Sequence, residues 1–481
     1  MDLAAVPPLL DTLANVTFPA RLEQLRSFFA GPAKEFRIHL DAACGLPTDW
    51  RASWDAPSQW GVTGNAHWAT KYGAQGFIPR MVDNSPFVTS DWRSASASIV
   101  VLFARHYAGG PAIVQQQCLQ RLRARSEAFR ATNGSRHFFI FTDSRGPCCL
   151  DGKYKDVDFL RHHVIGPHGE PASAADEWFF RRGKQAPRIR CFDATKDINI
   201  PTPNIHWPRT PFAPNLPRRP LGPGSVLGVP RRPAPAARTL LLFYAGWNYG
   251  VRMELVRMYE RDADTDVVVR RRVSKKQYME HMSSAKFCPV CGGFSQWTPR
   301  LAEALYYGCV PVILSPQMQE PWARLLDWSR FSVRLEPTHA NLRGLKQRLR
   351  GLDYESLAHN VRHARAALRY RLDKYDGHDM LPLLLHEMHA VLQTPIGPPA
   401  GVSQLSNTVE TDRDYNVGLQ NVHSQRKAHS VETHAALALP GGEQWDCASF
   451  DGYMCECRKR DASGVPHRAH RCRGSGACYD R

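Results

Sequence analysis

Eleven prolines fall between residues 201 and 237. Proline fixes φ and removes an amide donor, so neither a helix nor a central strand can run through that stretch. It therefore divides the chain, and whatever sheets form must form on either side of it. The stretch itself reads as an extended connector. On both sides lie short runs that are apolar at nearly every position. Before it come residues 98–103 (Ser-Ile-Val-Val-Leu-Phe) and 137–141 (His-Phe-Phe-Ile-Phe). After it come residues 239–245 (Thr-Leu-Leu-Leu-Phe-Tyr-Ala), 266–269, 287–290 and 310–314. Runs of this kind belong to strands buried on both faces, which are those of parallel sheets. Helical patterns separate them, over residues 111–132, with Ile113, Cys118, Leu122 and Phe129 available for one face, and over 253–259, 278–284 and 299–307. Strand and helix in alternation make βαβ units, so the fold class is α/β with parallel sheets covered on both faces.

The remaining organisation follows from composition. A length of 481 residues, 43% of them apolar, allows roughly two or three domains of about 100–200 residues with a sizeable core. Residues 1–200 read as a first Rossmann-like domain, opening with a helical stretch that places Phe18, Leu22, Leu25 and Phe28 at helical spacing. Residues 201–237 are the connector, and 238–393 a second such domain whose last part, from 341, is helical with an interruption near Asp376-Gly377. Residues 394–445 are polar and mixed and read as a linker or disordered segment, and 446–481 as a Cys-rich tail.

Five of the thirteen cysteines crowd that tail, which points to an oxidising compartment and a small disulfide module. Two glycosylation sequons, at Asn15 and Asn133, agree with a secretory route. No apolar run is long enough to span a bilayer and no signal peptide begins at Met1, so a secretory protein would lack its native N-terminus here. The formal charge of +17 favours anionic partners. It is dispersed, and without a zinc-finger spacing, an RNP-type motif or a continuous basic helix no nucleic-acid partner is expected.

Two segments can carry chemistry. In Thr298-Pro299-Arg300-Leu301-Ala302-Glu303, Thr298 is suited to an N-cap and Pro299 to the first helical position. A helix start attracts an anion, Arg300 adds a planar fork of donors, and Glu303 lies on the same face, where a carboxylate can hold two ribose hydroxyls. A surface Arg–Glu pair behind an ordinary cap has the same spacing. In residues 244–252, a strand runs into a Gly246 loop with Arg252 near the next helix start, an arrangement that admits phosphates but is also that of an ordinary βα turn. Asp262-x-Asp264-x-Asp266 has the spacing of a divalent-metal site, yet reads as a solvated loop, and Cys288-x-x-Cys291 lacks the second pair a zinc site needs. Packing or a disulfide is the expectation for those cysteines.

These residues resemble the exostosin family, family 47 of the glycosyltransferases, in its plant or algal type. The elements that carry the resemblance recur in order: Phe287-Cys288, Thr298-Pro299-Arg300 with Glu303-Ala304, Gly308-Cys309-Val310-Pro311-Val312, Pro321-Trp322, and Leu326-Asp327-Trp328. Upstream, Gly134 to Phe139 with Asp143, Lys196-Asp197 through Pro201, and Leu241 to Gly246 with Arg252 are similar to further family elements. Thr298 stands where serine is usual, and Arg136 is followed by His137 without the usual aspartate between them.

The resemblance implies a GT-B architecture, with two Rossmann-like domains facing a cleft. It implies inverting transfer from a nucleotide-sugar, and a Golgi location with an N-terminal membrane anchor absent from this chain. Arg300 would bind the diphosphate and Glu303 the ribose, with Thr298, Gly246 and Arg252 completing the donor site. The helix start and Arg300 would serve without a metal or other cofactor, with a UDP-sugar as the expected donor. A general base from the first domain is required. Asp143, just beyond the 137–141 strand, is the first candidate and His137 the second; a turn cap and a core histidine are the structural alternatives. The expected acceptor is a polysaccharide or a glycoprotein glycan. The rival reading is a non-catalytic subunit on the same fold, working with a partner glycosyltransferase.

Overall fold

The computed structural model describes residues 7–44, 73–102, 111–142, 162–166, 192–203, 238–246, 250–292, 297–316, 318–371 and 375–394, with five strands between 436 and 478. Of the Pro-rich connector, only 201–203 lie among them. The chain divides into two compact units, Met1–Arg105 with Ala112–Gly397, and His106–Pro111 with Pro398–Arg481.

The first unit holds two parallel sheets, compatible with a GT-B-like fold. One consists of β1 (Ile38–Asp41), β2 (Val88–Thr89), β3 (Ala97–Val100), β4 (His137–Ile140), β5 (His163–Gly166) and β6 (Ile198–Asn199), in the order β2-β1-β3-β4-β5-β6. Side chains alternate across a strand, and the core splits accordingly. Ile99, Phe138 and Ile140 enter one large apolar cluster. Val100 and Phe139 enter a second, closed by Cys118, Leu119 and Leu122 of the helix Pro111–Arg125. A disulfide joins Cys44 to Cys118 across that second cluster.

The helix expected over 111–132 is in fact two, Pro111–Arg125 and Glu127–Thr132. Ser126 makes the break. Its Oγ accepts the Phe129 N–H at 3.0 Å as a cap and donates to Asp41 Oδ2 at 2.5 Å. The second helix ends in left-handed Asn133 and Gly134. Gly134 has φ +70°, and a Cβ there would lie 2.5 Å from the His162 ring and 2.6 Å from Phe129.

The other sheet consists of β7 (Leu240–Ala245), β8 (Val267–Arg270), β9 (Ala285–Val290), β10 (Val310–Ile313) and β11 (Val333–Arg334), in the order β11-β10-β9-β7-β8. The helices Gly250–Tyr259, Lys275–Ser284 and Arg300–Tyr307 alternate with its strands. Cys288 of β9 is disulfide-bonded to Cys309, immediately before β10, which ties the two strands together. The helical region beyond 341 includes Tyr354–Ala364 and Leu381–Leu392, with left-handed Gly377 in the break between them.

The two halves exchange ends. The N-terminal segment runs along the second half: Thr17 bridges Leu326, Phe18 N–H donates to Leu325 O at 3.1 Å, and Asp327 N–H donates to Val16 O at 2.8 Å. In return, the helix Leu381–Leu392 packs on the helix Pro19–Ala30 and on β6. Buried Trp322, at φ 57°, donates its backbone N–H to Asn199 O of β6 at 3.1 Å. A left-handed backbone at so bulky a residue is rare, and the contacts on every side of it hold it there. One apolar cluster, from Leu9 to Val391, runs through both halves.

The second unit contains an antiparallel meander of β12 (Ala436–Ala438), β13 (Gln444–Ser449), β14 (Met454–Arg460), β15 (Pro466–Arg473) and β16 (Ala477–Cys478). Its first strand lies within the stretch expected as a linker. The Cα register sets Cys447 opposite Cys457 and Cys455 opposite Cys472.

Candidate functional site

Parallel α/β sheets take ligands beyond the carboxyl ends of their strands. In the second sheet these ends are Ala245-Gly246 after β7 and Cys291-Gly292 after β9. Two arginines converge there. Arg300 opens the helix Arg300–Tyr307 and reaches back to donate from Nη2 to Ala245 O. Its guanidinium carbon lies 4.6 Å from the Tyr244 ring centroid and 5.4 Å from that of Tyr278. Arg252, in the first turn of Gly250–Tyr259, donates from Nη2 to Cys291 O at 3.1 Å. Each keeps one buried nitrogen without an acceptor among the described residues: Arg300 Nη1 and Arg252 Nε. Burial opposes the Arg300 charge, but Tyr278, Tyr244 and Glu303 outweigh it and raise the guanidinium above its ordinary value.

Glu303 is only 5% exposed, so it is not half of a surface ion pair. It accepts the Tyr278 O–H at 2.5 Å. Thr298 is buried, and its Oγ1 accepts the Arg300 N–H at 3.4 Å; the regular helix begins at Arg300, one residue later than expected. Gly246 is required by close approach. A Cβ there would lie 2.9 Å from the Tyr244 hydroxyl and 3.5 Å from Arg300 Nη2. The structure thus brings Arg300, Arg252, Gly246, Glu303 and Thr298 to one sheet edge.

Sequence reasoning missed Tyr244 and Tyr278. Tyr244 lies within a strand read only as apolar. Tyr278 lies in a short helix capped by a Ser274–Gln277 box, where the one available sign was an aromatic among polar neighbours.

The base candidates fare differently. Asp143 lies outside the described residues. His137 is fully buried, with Nε2 3.2 Å from Asp41 Oδ2 and its ring against Phe129 at 4.9 Å. It also opens β4, at the amino end of the strand rather than the carboxyl end where ligands bind. His137 is therefore an interior histidine, held by Asp41 through Nε2 while its buried Nδ1 has no partner among the described residues. Burial raises the Asp41 carboxyl, but His137, Ser126 and the Ala43 amide together bring it below its ordinary value.

The Asp262–Asp266 loop is ion-paired rather than merely solvated. Lys346 Nζ lies 2.9 Å from Asp262 and 2.8 Å from Asp264, while Arg350 Nη2 lies 2.9 Å from Asp264 and 3.2 Å from Asp266. Those carboxylates are engaged by protein cations. Cys288 is consumed by its disulfide to Cys309, and burial pushes the free Cys291 thiol up to about 11. Among the described residues, no group of three His, Cys, Asp or Glu side chains is placed to hold a metal ion, and no helix is long and apolar enough to cross a membrane.

A probable glycosyltransferase of Arabidopsis thaliana is 36% identical over 144 residues, 30% of this chain and 24% of the relative. A second from the same plant is 27% identical over 199 residues, 41% of this chain and 38% of the relative. A probable glucuronosyltransferase of Oryza sativa subsp. japonica is 21% identical over 233 residues, 46% of each chain. The chain thus spans less than half the length of these relatives. The family model of the Exostosin GT47 domain matches residues 55–351, more than half of the sequence and all of the sheet edge where Arg252, Arg300 and Glu303 meet. By that match, this chain belongs to the exostosin glycosyltransferase family 47.

Proposed function

We propose that this chain is an inverting, metal-independent glycosyltransferase that moves a sugar from a UDP-sugar to a hydroxyl of a polysaccharide or glycoprotein glycan in the Golgi lumen. The observation that carries the reading is the pair of arginines. Arg300 Nη1 and Arg252 Nε are buried donors without acceptors among the described residues. Such groups ordinarily find partners, and a diphosphate supplies several acceptor oxygens at once. The positive end of the helix Arg300–Tyr307 adds to the same field. Glu303, held by Tyr278, is the carboxylate available for ribose hydroxyls.

In the transfer, the acceptor oxygen bonds to the anomeric carbon as the bond from that carbon to the diphosphate breaks. The acceptor proton passes to a base on the opposite face, for which Asp143 is the candidate. The charge gathered on the departing diphosphate is met by the two guanidinium groups, fixed in place before reaction by Ala245 O and Cys291 O. The named activity of the rice relative makes UDP-glucuronate one donor to examine, beside UDP-xylose and UDP-galactose.

The test is a thermal-shift and titration series on the full chain with UDP and these UDP-sugars, with and without chelator. Stabilisation of about 2–3 kcal/mol near saturation is expected, unaffected by chelator. Arg300→Ala should weaken UDP binding about tenfold to a hundredfold while the protein stays folded. A folded wild-type chain that no nucleotide stabilises would instead support the non-catalytic subunit.

A further inference from the structure

A cavity of about 690 Å³ opens at the other edge of the first sheet, where its strands begin. It lies between the turns that lead into β1, β3 and β4 and the end of the helix Leu381–Leu392. That volume is within the range of about 300–1,000 Å³ usual for small-ligand sites. Arg136 contributes an exposed guanidinium with no partner among the described residues. Arg93 contributes a second, bonded to Glu127 at 2.6 Å and stacked on Trp92 at 4.6 Å. Ser94, Ser135 and Thr394 add hydroxyls. Leu392 and His389 add an apolar patch, backed by buried Phe36, whose ring meets that of His389 edge-on at 5.8 Å. Glu35 is the acidic residue of the lining.

We propose that this cavity binds a carboxylate-bearing sugar unit of a glycan chain, at a distance from the transfer centre. The combination is specific in kind. A sugar ring presents hydroxyl edges to hydroxyl and guanidinium groups and an apolar face to aromatic and aliphatic carbon. A carboxylate matches the planar Arg136 fork. Inorganic phosphate would use the arginine but neither the apolar patch nor a cavity of this size. The chain's formal charge of +17 draws a polyanionic glycan toward the surface. The cavity borders the starts of the first-sheet strands, whereas the arginine pair borders the ends of β7 and β9, so an anchored chain and the nucleotide-sugar occupy separate places. The natural source of the ligand rests on the glycan-transfer reading; the binding itself does not.

The test is titration of the full chain with trigalacturonate and with its methyl ester, at low and high salt, using Arg136→Ala and Gln393→Trp. Arg136 and Gln393 are both exposed, so neither replacement disturbs the core. The expected result is salt-sensitive binding of trigalacturonate, weakened about tenfold or more by loss of the charge-assisted bond in Arg136→Ala. The bulk of Gln393→Trp should weaken it as well, with UDP binding unchanged in both variants and the ester bound poorly. Equal binding of the ester, unchanged affinity in both variants, or no trigalacturonate binding overturns the proposal. Trigalacturonate binding with this variant pattern but without UDP binding upholds the cavity and defeats the donor-site reading.

Discussion

Arg300 and Glu303 could be found from sequence because three residues of helix bring them to one face, and that spacing is local. What holds them is not local. Tyr244 and Tyr278 sit 56 and 22 positions upstream of Arg300 in the chain and meet it only once β7, β9 and their helices are assembled. The same limit explains His137, whose partner Asp41 lies 96 residues away and decides that the ring is interior. Tyr278 makes a specific forecast. Tyr278→Phe keeps the ring beneath Arg300 and removes only the hydroxyl that donates to Glu303 at 2.5 Å. If Glu303 binds the ribose, UDP affinity should fall about threefold to tenfold, in line with the loss of one hydrogen bond, while inorganic pyrophosphate affinity stays constant. A parallel loss for pyrophosphate would show that Tyr278 acts through Arg300 instead.

Elements were legible where a run of apolar residues marked a strand, as with β3, β4 and β7 to β10, and obscure where a distant contact set a boundary. Ser126 ends a helix because Asp41 and the Phe129 amide both claim its hydroxyl. Cys288 pairs with Cys309 rather than Cys291 because β9 and β10 are parallel neighbours whose register sets Phe287 and Cys288 beside Val310 and Pro311. The helix Leu381–Leu392 shows how burial couples to pH. His386 is buried, its ring 5.7 Å from Phe28, and burial foremost, with His389, Arg21 and Arg324 nearby, lowers it to about 4. The unfolded chain takes up this proton near pH 6.5 and the folded one only near 4. The contribution of neutral His386 is therefore intact above the higher value and declines as pH falls between the two, by about 3 kcal/mol in all. Urea unfolding at pH 7.5 and 5 should show that decline, and His386→Leu should flatten it. An equal pH dependence in the variant would assign the effect to other groups.

At the scale of the whole molecule, the sequence announced two α/β halves and a connector, and it concealed their exchange of ends. Nothing in the helical pattern of the first residues tells that Val16 and Thr17 join the backbone of Leu326 and Asp327 in the other half. The exchange predicts that the connector is not what keeps the halves together. A chain cut at a protease site inserted between residues 204 and 237 should elute as one species and retain its stabilisation by UDP. Separation of the two fragments in native buffer would refute that. Deleting residues 7–18 should do more damage than the cut, since it strips Leu9, Leu10, Leu13 and Val16 from the shared core.

The same exchange has a mechanical side. Two bodies on a single tether can turn about each other in any direction, whereas bodies clasped at separate points keep few ways to move. Here one clasp is at Val16–Asp327, another at Asn199–Trp322, and a third where the helix Leu381–Leu392 meets β6. Movement of one half against the other is accordingly restrained at all three clasps, one of them at Trp322, whose backbone is already in the left-handed region.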